Sequence, residues 1–526
     1  MKKRYKAIFA VAAAMLASAS VIGCAGDNYK SVKFAPQDTS YSVTSQGGST
    51  VAYGNYIYFI NGTRGYDDPN GDANNWSEVV KGGLYRAELN GTVKEFDGYN
   101  SFTPVRDAES GLEFKFTESK DYFDNDINVV DVTAIAPKTV GVTGDPANNR
   151  GGIFIYDNYV YFASPNNLKN SAGAVQTTRT DFFMMPLNGG KPSKIYTTSE
   201  GVDTSSAEYA FYKFGGTTYL IVNEGGTVVS VKIDTKKAKA DETLKFEVNA
   251  TGVYFPVRDT YYTGIDNNTV EDFIYYTRAV SDKENDLRAG TVIEAMRPDG
   301  SENFTAVMDS YDASIESVRD GVLFYRSKNS LGNDVIRYDN LHDSLVEFSP
   351  TYRAAHENDT SNIAGDLYTL DSSITATYAF RPDTQSNEVY LIGMTSSGIN
   401  LYKSDNTHER LCSTTGTIKF VDGNYLYIAG SNSDLYRVPI WENMDGFGES
   451  VLLAEGIAAT GVNCDYAAGY LTYYAEVDEW ASDYTFFYKI DGYEGAEPQF
   501  VGQRSSADIP TEEQIEEKLK GSSDEE

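Results

Sequence analysis

Three histidines, His342, His356 and His408, are the first side chains to weigh, because imidazole does most acid–base work near neutral pH. They stand in separate polar, loop-like contexts, as solvated side chains do. His356-Glu357-Asn358-Asp359-Thr360 opens like a zinc-protease motif, which needs two imidazoles on one helix face, but Thr360 occupies the second position. The chain carries no G-x-S-x-G elbow, no phosphate-cradling glycine loop and no C-x-x-C pair. Asp67-Asp68-Pro69-Asn70-Gly71-Asp72 clusters the hard oxygen ligands that calcium takes, so Asp67, Asp68, Asn70 and Asp72 are weak metal candidates. Read as an EF-hand loop from Asp68, however, it has Ala73 where glycine is required and Val79 where the bidentate glutamate belongs. A polar insertion is the better reading, and no cofactor is expected. Carboxylates are abundant, 76 Asp and Glu against 44 Lys and Arg, so a pair for glycosidase chemistry could assemble from distant segments.

The remaining candidates are aromatic. Trp76, Trp480 and Tyr66 fall in long polar stretches, and exposed Trp and Tyr are frequent anchors for binding partners. Trp441 follows an apolar run and reads as structural. What these residues can do depends on the elements that carry them.

Those elements are short strands. Thr417–Ile440 reads as three strands joined by two turns, with Asp422-Gly423 supplying the positive φ of a tight hairpin. Its flanks are rich in Tyr, Ile, Val and Phe, which suit a half-buried pleated surface. Similar second strands recur: Tyr56–Phe59, Tyr159–Phe162, Tyr219–Val222, Phe273–Tyr276, Val322–Tyr325, Val389–Ile392, Tyr425–Ile428 and Leu471–Tyr474. In the clearest units a third strand and second hairpin follow, as in Leu84–Leu89 before Asn90-Gly91 and Thr92-Val93-Lys94. Most intervals bracket the roughly 40–50-residue period of propeller blades, while the first is about double. The expected fold is therefore all-β, a β-propeller of four-stranded antiparallel blades over residues 46–502, with eight blades or, alternatively, seven. Residues 95–150, rich in Asp and Asn, read mostly as an insertion.

The ends differ in composition. Lys2, Lys3, Arg4 and Lys6 precede an apolar, small-residue run from Ala7 to Ile22 that is short for a bilayer span. Val21-Ile22-Gly23-Cys24 resembles a bacterial lipobox, which implies a signal peptide over 1–23 and lipidation of Cys24. Residues 24–45 read as a flexible tether from which a strand near Ser31–Phe34 could dock on the last unit. Thr511–Gln514 resembles a capping box, so 503–526 is expected to be an acidic tail with a short helix. Loss of residues 1–23 moves the formal charge from −32 to −36, a surface that repels nucleic acid. Cys412 and Cys464 fall in different strands of units far apart, beyond the roughly 7 Å reach of a disulfide, so none is expected.

With its LYR strand and following turn, as at Leu84–Gly91 and Asp434–Val438, the chain resembles the YWTD-type blades of low-density-lipoprotein-receptor propellers. It resembles more closely a group of exported Gram-positive lipoproteins carrying such a propeller. The resemblance implies a surface-anchored binding propeller on the extracytoplasmic face of the membrane, and a monomer is expected. No intact YWTD tetrad is present. In a propeller, turns between strands one and two and between three and four share one side, and the remaining connections share the other. The expected binding side is the second, with long loops at Asn61–Lys81, Ser164–Thr180, Ala279–Arg288 and Glu476–Asp483. Non-catalytic recognition of a protein or glycan is the leading expectation. A polysaccharide hydrolase or lyase, and a structural part of an envelope assembly complex, are the alternatives.

Overall fold

The structure is a computed structural model. It describes residues 32–33, 43–44, 46–61, 83–88, 116–120, 126–130, 132–136, 151–166, 168–169, 175–176, 178–203, 207–256, 273–280, 290–306, 313–319, 322–328, 332, 334–341, 349, 354, 366–368, 374–380, 390–403, 407–421, 424–432, 434–455, 465–467, 470–475, 484–489 and 499–500. Every one of the eight expected second strands overlaps an observed one, because Tyr and β-branched residues alternate there and pack on both sides.

Eight antiparallel sheets follow one another in chain order, and they form a β-propeller. Seven are four-stranded blades, with first strands Phe154–Tyr156, Tyr209–Phe214, Ala250–Tyr254, Ser314–Arg319, Ala376–Phe380, Gly416–Val421 and Asp465–Ala467. The sheet that precedes them has five strands: Val43–Thr44, Thr50–Tyr53, Tyr56–Asn61, Gly83–Glu88 and Val132–Ala136. Seven four-stranded blades thus match the alternative count, and the eighth repeat is the five-stranded sheet. First strands touch between several neighbouring sheets, and Thr50–Tyr53 lies against both Phe154–Tyr156 and Asp465–Ala467, which closes the ring.

The double-length first interval has a topological cause. The strand that completes the first sheet is Val132–Ala136, which pairs with Gly83–Glu88 across more than forty intervening residues. Thr92-Val93-Lys94, expected in that position, lies outside the described residues. Within the intervening stretch Phe116–Lys120 and Asp126–Val130 pair only with each other. The stretch is an insertion into the first sheet, and its described residues form a hairpin, not a further blade.

Two short strands fall inside the segment expected to be a tether. Val43–Thr44 adds to the inner edge of the first sheet. Val32–Lys33 pairs with Gly189–Gly190, in the turn of the second sheet, and not with the last unit. Gly189 and Gly190 sit at φ 93° and 138°, so they leave an unobstructed backbone edge that a passing strand can join.

Hydrophobic contact between sheets supplies most of the cohesion. Between the second and third sheets, Phe182 meets Tyr209 edge-on at 4.9 Å and Tyr161 lies 4.9 Å from Phe211. Both tyrosines are fully buried. Such ring pairs contribute about 0.5–1.5 kcal/mol each beyond their burial. The tight turns use left-handed backbone where expected: Asp157 and Asn158 adopt φ 50° and 65°, the pattern of a type I′ hairpin. Among the described residues, no helix is long and apolar enough to cross a membrane.

Candidate functional site

The first strands line the ring's interior, so their polar residues are the ones that can meet a ligand on the axis. Three of these strands carry a register shift in their pairing with the second strand: between Ala250 and Gly252, between Ile315 and Ser317, and between Ile418 and Phe420. The extra residue is Thr251, Glu316 and Lys419, polar in each case. A bulge inserts one residue and re-aims its side chain, which lets a polar group appear in an otherwise apolar strand without displacing its neighbours.

Around Glu316 the geometry is well defined. Its Oε1 accepts a hydrogen bond from Arg326 Nε at 2.8 Å, and its Oε2 accepts one from Thr377 Oγ1 at 2.9 Å. Arg326 belongs to the second strand of the same sheet, and Thr377 to the first strand of the next. Glu208, just ahead of Tyr209, repeats the arrangement two sheets earlier. Its Oε2 accepts from Asn223 Nδ2 at 2.8 Å and from the Val253 amide, in the next first strand, at 3.2 Å. Thr251 donates to the Thr277 carbonyl at 3.0 Å, and Thr375 to the Met394 carbonyl at 3.4 Å. Of the second-strand partners, Asn223, Arg326 and Met394 lie toward the loop-side end of their strands and Thr277 at the middle of its own. The set therefore forms a polar rim at the loop-side mouth of the third to sixth sheets.

Tyr254, at the end of the first strand between those carrying the two carboxylates, feels the charge of both. Burial, and then the charges of Glu208 and Glu316, push its phenol above the ordinary value. Tyr254 is thus a neutral hydroxyl donor. The rim presents hydroxyls at Thr251, Ser314 and Thr375, all exposed, beside half-buried Glu208, Glu316 and Thr377. Carboxylates that already accept two hydrogen bonds are fixed in place, which favours recognition of hydroxyl or amide donors over proton transfer.

Tyr66, Trp76, Trp480, Asp67, Asp68, Asn70, Asp72 and Cys24 lie outside the described residues, as do His342, His356 and Cys464. His408 opens an outer strand, is exposed, and packs its ring 5.3 Å from Tyr402. Cys412 is free and buried. Trp441 packs on Tyr390 at 5.9 Å, the structural role expected of it. Among the described residues no group of three or more His, Cys, Asp or Glu could hold a metal ion.

The expected division of the two sides holds only in part. The connections 62–82, 281–289 and 476–483 leave from the loop side as anticipated. Three of the longest, 89–131, 255–273 and 341–365, instead join strands on the turn side. The first was anticipated as an insertion within 95–150; the other two were not, because only the second strands were firmly fixed and their partner strands were left unassigned.

No protein-family model matches the chain, and no curated protein does. Solved structures resemble it at low identity. A puromycin-hydrolysing peptidase of Mycobacterium tuberculosis is 10% identical with a TM-score of 0.37, over 70% of this chain and 56% of that one. This chain thus spans little more than half of that peptidase. The β-propeller domain of the Trilobed protease from Pyrococcus furiosus is 10% identical with a TM-score of 0.31, over 65% and 91%. A lectin from Burkholderia pseudomallei is 10% identical with a TM-score of 0.34, over 80% and 99%.

Proposed function

We propose that this chain is a lipid-anchored, extracytoplasmic propeller that binds a protein or glycan at its loop side without transforming it. The observation that carries the reading is the rim: fixed carboxylates at Glu208 and Glu316, a neutral phenol at Tyr254 and exposed hydroxyls at Thr251 and Thr375. Such a surface suits hydroxyl-rich or amide-rich ligands, which exchange hydrogen bonds with both carboxylates and hydroxyls. Trp76 and Trp480 belong to the segments that join second to third strands and would supply apolar area for a sugar or side-chain face. The anchor rests on Cys24 after its positive and apolar leader, and the YWTD-like, Gram-positive-type affinity rests on the LYR strands. The test is binding of a soluble form starting at Ala25 to envelope proteins and polysaccharides. A Trp76→Ala, Trp480→Ala double variant serves as control. Specific binding that the variant loses supports the reading.

One arrangement favours a second reading. Two glutamates about a phenol could act on a polysaccharide as a hydrolase or lyase does, with Tyr254 as proton donor. Turnover of an envelope glycan, abolished by Tyr254→Phe, would establish it over binding.

A further inference from the structure

The pairing of Val32–Lys33 with Gly189–Gly190 has a consequence for how the ring stands on a membrane. Gly189–Gly190 lies in the connection between the third and fourth strands of the second sheet, on the turn side. Cys24 precedes Val32 by eight residues, which reach at most about 28 Å when fully extended. A lipid on Cys24 therefore keeps this part of the turn side within one short tether of the bilayer. The opposite side is farther by the length of a strand, roughly 20 Å for six residues.

Charge at the same place runs against the chain's acidic average. Lys191, Lys213, Lys236, Lys237 and Lys239 are all exposed in the turn-side segments of the second and third sheets, and Lys33 is in the docked strand. Acidic neighbours are present too. Asp157 pairs with Lys213, Asp234 with Lys237 at 2.8 Å and Asp241 with Lys232 at 3.8 Å, while Asp299 and Glu242 act on Tyr219 nearby. Lysines beside an anionic lipid surface are attracted to it within a Debye length.

We propose that the turn side of the second and third sheets is the surface this chain lays against an anionic phospholipid membrane, held there by the strand Val32–Lys33. The proposal rests on the lipidation of Cys24. It leaves the loop-side rim facing away from the membrane, where a soluble or cell-wall ligand can reach it.

The test uses the full chain as lipidated by its producing cell, reconstituted in phosphatidylglycerol–phosphatidylcholine vesicles with an acceptor dye on the headgroups. Donor dyes are placed on Lys237→Cys, on the turn side, or on Glu200→Cys, on the loop side, in a Cys412→Ala, Cys464→Ser background. Energy transfer at least twofold greater from position 237 is expected, and Val32→Pro, which removes a backbone donor from the docked strand, brings the two together. Equal or reversed transfer from an anchored protein overturns the orientation and leaves the anchor standing. A Cys24 without an acyl mass, on a protein that stays off the vesicles, overturns the anchor and the orientation with it. A difference that Val32→Pro leaves untouched overturns the part given to the docked strand.

Discussion

Thr377 donates a hydrogen bond to Glu316 at 2.9 Å across the seam between two neighbouring blades, while Arg326 holds the other carboxylate oxygen at 2.8 Å. The carboxylate thus belongs to the rim and to the ring's cohesion at once. Removing it leaves Arg326 without this partner, and hydrogen bonds to charged groups are worth about 1.5–3 kcal/mol. Glu316→Ala is expected to lower stability to urea by about that amount, and Glu316→Gln, which keeps one acceptor oxygen for Arg326 and turns its amide N–H toward the Thr377 hydroxyl, by less. Equilibrium unfolding followed by tyrosine fluorescence checks the order, and equal losses would contradict it.

A second junction ties three sheets together. The Tyr209 hydroxyl accepts from the Gly152 amide at 2.8 Å and donates to the Gly152 carbonyl at 3.1 Å. Gly152 itself has φ 91°, and a side chain there would stand 2.2 Å from the Gly48 carbonyl oxygen of the first sheet. Tyr209→Phe leaves a buried amide and carbonyl without this partner and should cost about 1–3 kcal/mol. Gly152→Ala meets backbone rather than a yielding side chain, and its cost should be on the order of 3 kcal/mol or more. Melting curves of both variants decide it, and a neutral Gly152→Ala would contradict the close approach.

Alkaline stability follows from the buried phenols. Burial is the main cause that raises Tyr161, Tyr196, Tyr209 and Tyr276 above their ordinary value. A group whose native value lies above its unfolded value contributes stability below the unfolded value, near pH 10, and loses it as pH rises through the native one. The melting temperature should therefore hold up to about pH 10 and fall above it. Absorbance at 295 nm should show part of the 40 tyrosines titrating only with unfolding. Complete titration of a still-folded chain would contradict this.

The Asp157-Asn158 turn offers a local test. Asn158 occupies left-handed backbone at φ 65°, where its carbonyl accepts the Leu187 amide at 2.8 Å. Asn158→Gly should be neutral within about 0.5 kcal/mol, while Asn158→Val, β-branched in that region, should cost about 1–2 kcal/mol. Chemical denaturation of the pair reads the difference directly.

How much the sequence disclosed depends on which residues carry the signal. Second strands such as Tyr56–Asn61 and Tyr425–Gly430 are buried on both faces, so their aromatic and β-branched runs stand out. The last strand of the first sheet did not, because Val132–Ala136 pairs with a strand far back in the chain and no local rule links them. The rim was missed for a different reason. One inserted residue at Thr251, Glu316 or Lys419 alters the alternation by a single step, which a period-two pattern absorbs as noise. Ser314–Arg319 itself carries Ser314, Glu316, Ser317 and Arg319, so no contrast with apolar neighbours marks Glu316.

The account depends most on the loop-side rim as a recognition surface. The direct measurement is binding of the soluble form from Ala25 to fractionated envelope proteins and polysaccharides, compared with Tyr254→Phe and Trp76→Ala, Trp480→Ala variants that melt like the parent. The account predicts a saturable ligand, recovered chemically unchanged, whose affinity falls at least tenfold in one or both variants. A ligand bound equally by all three proteins, or one returned cleaved, would contradict it.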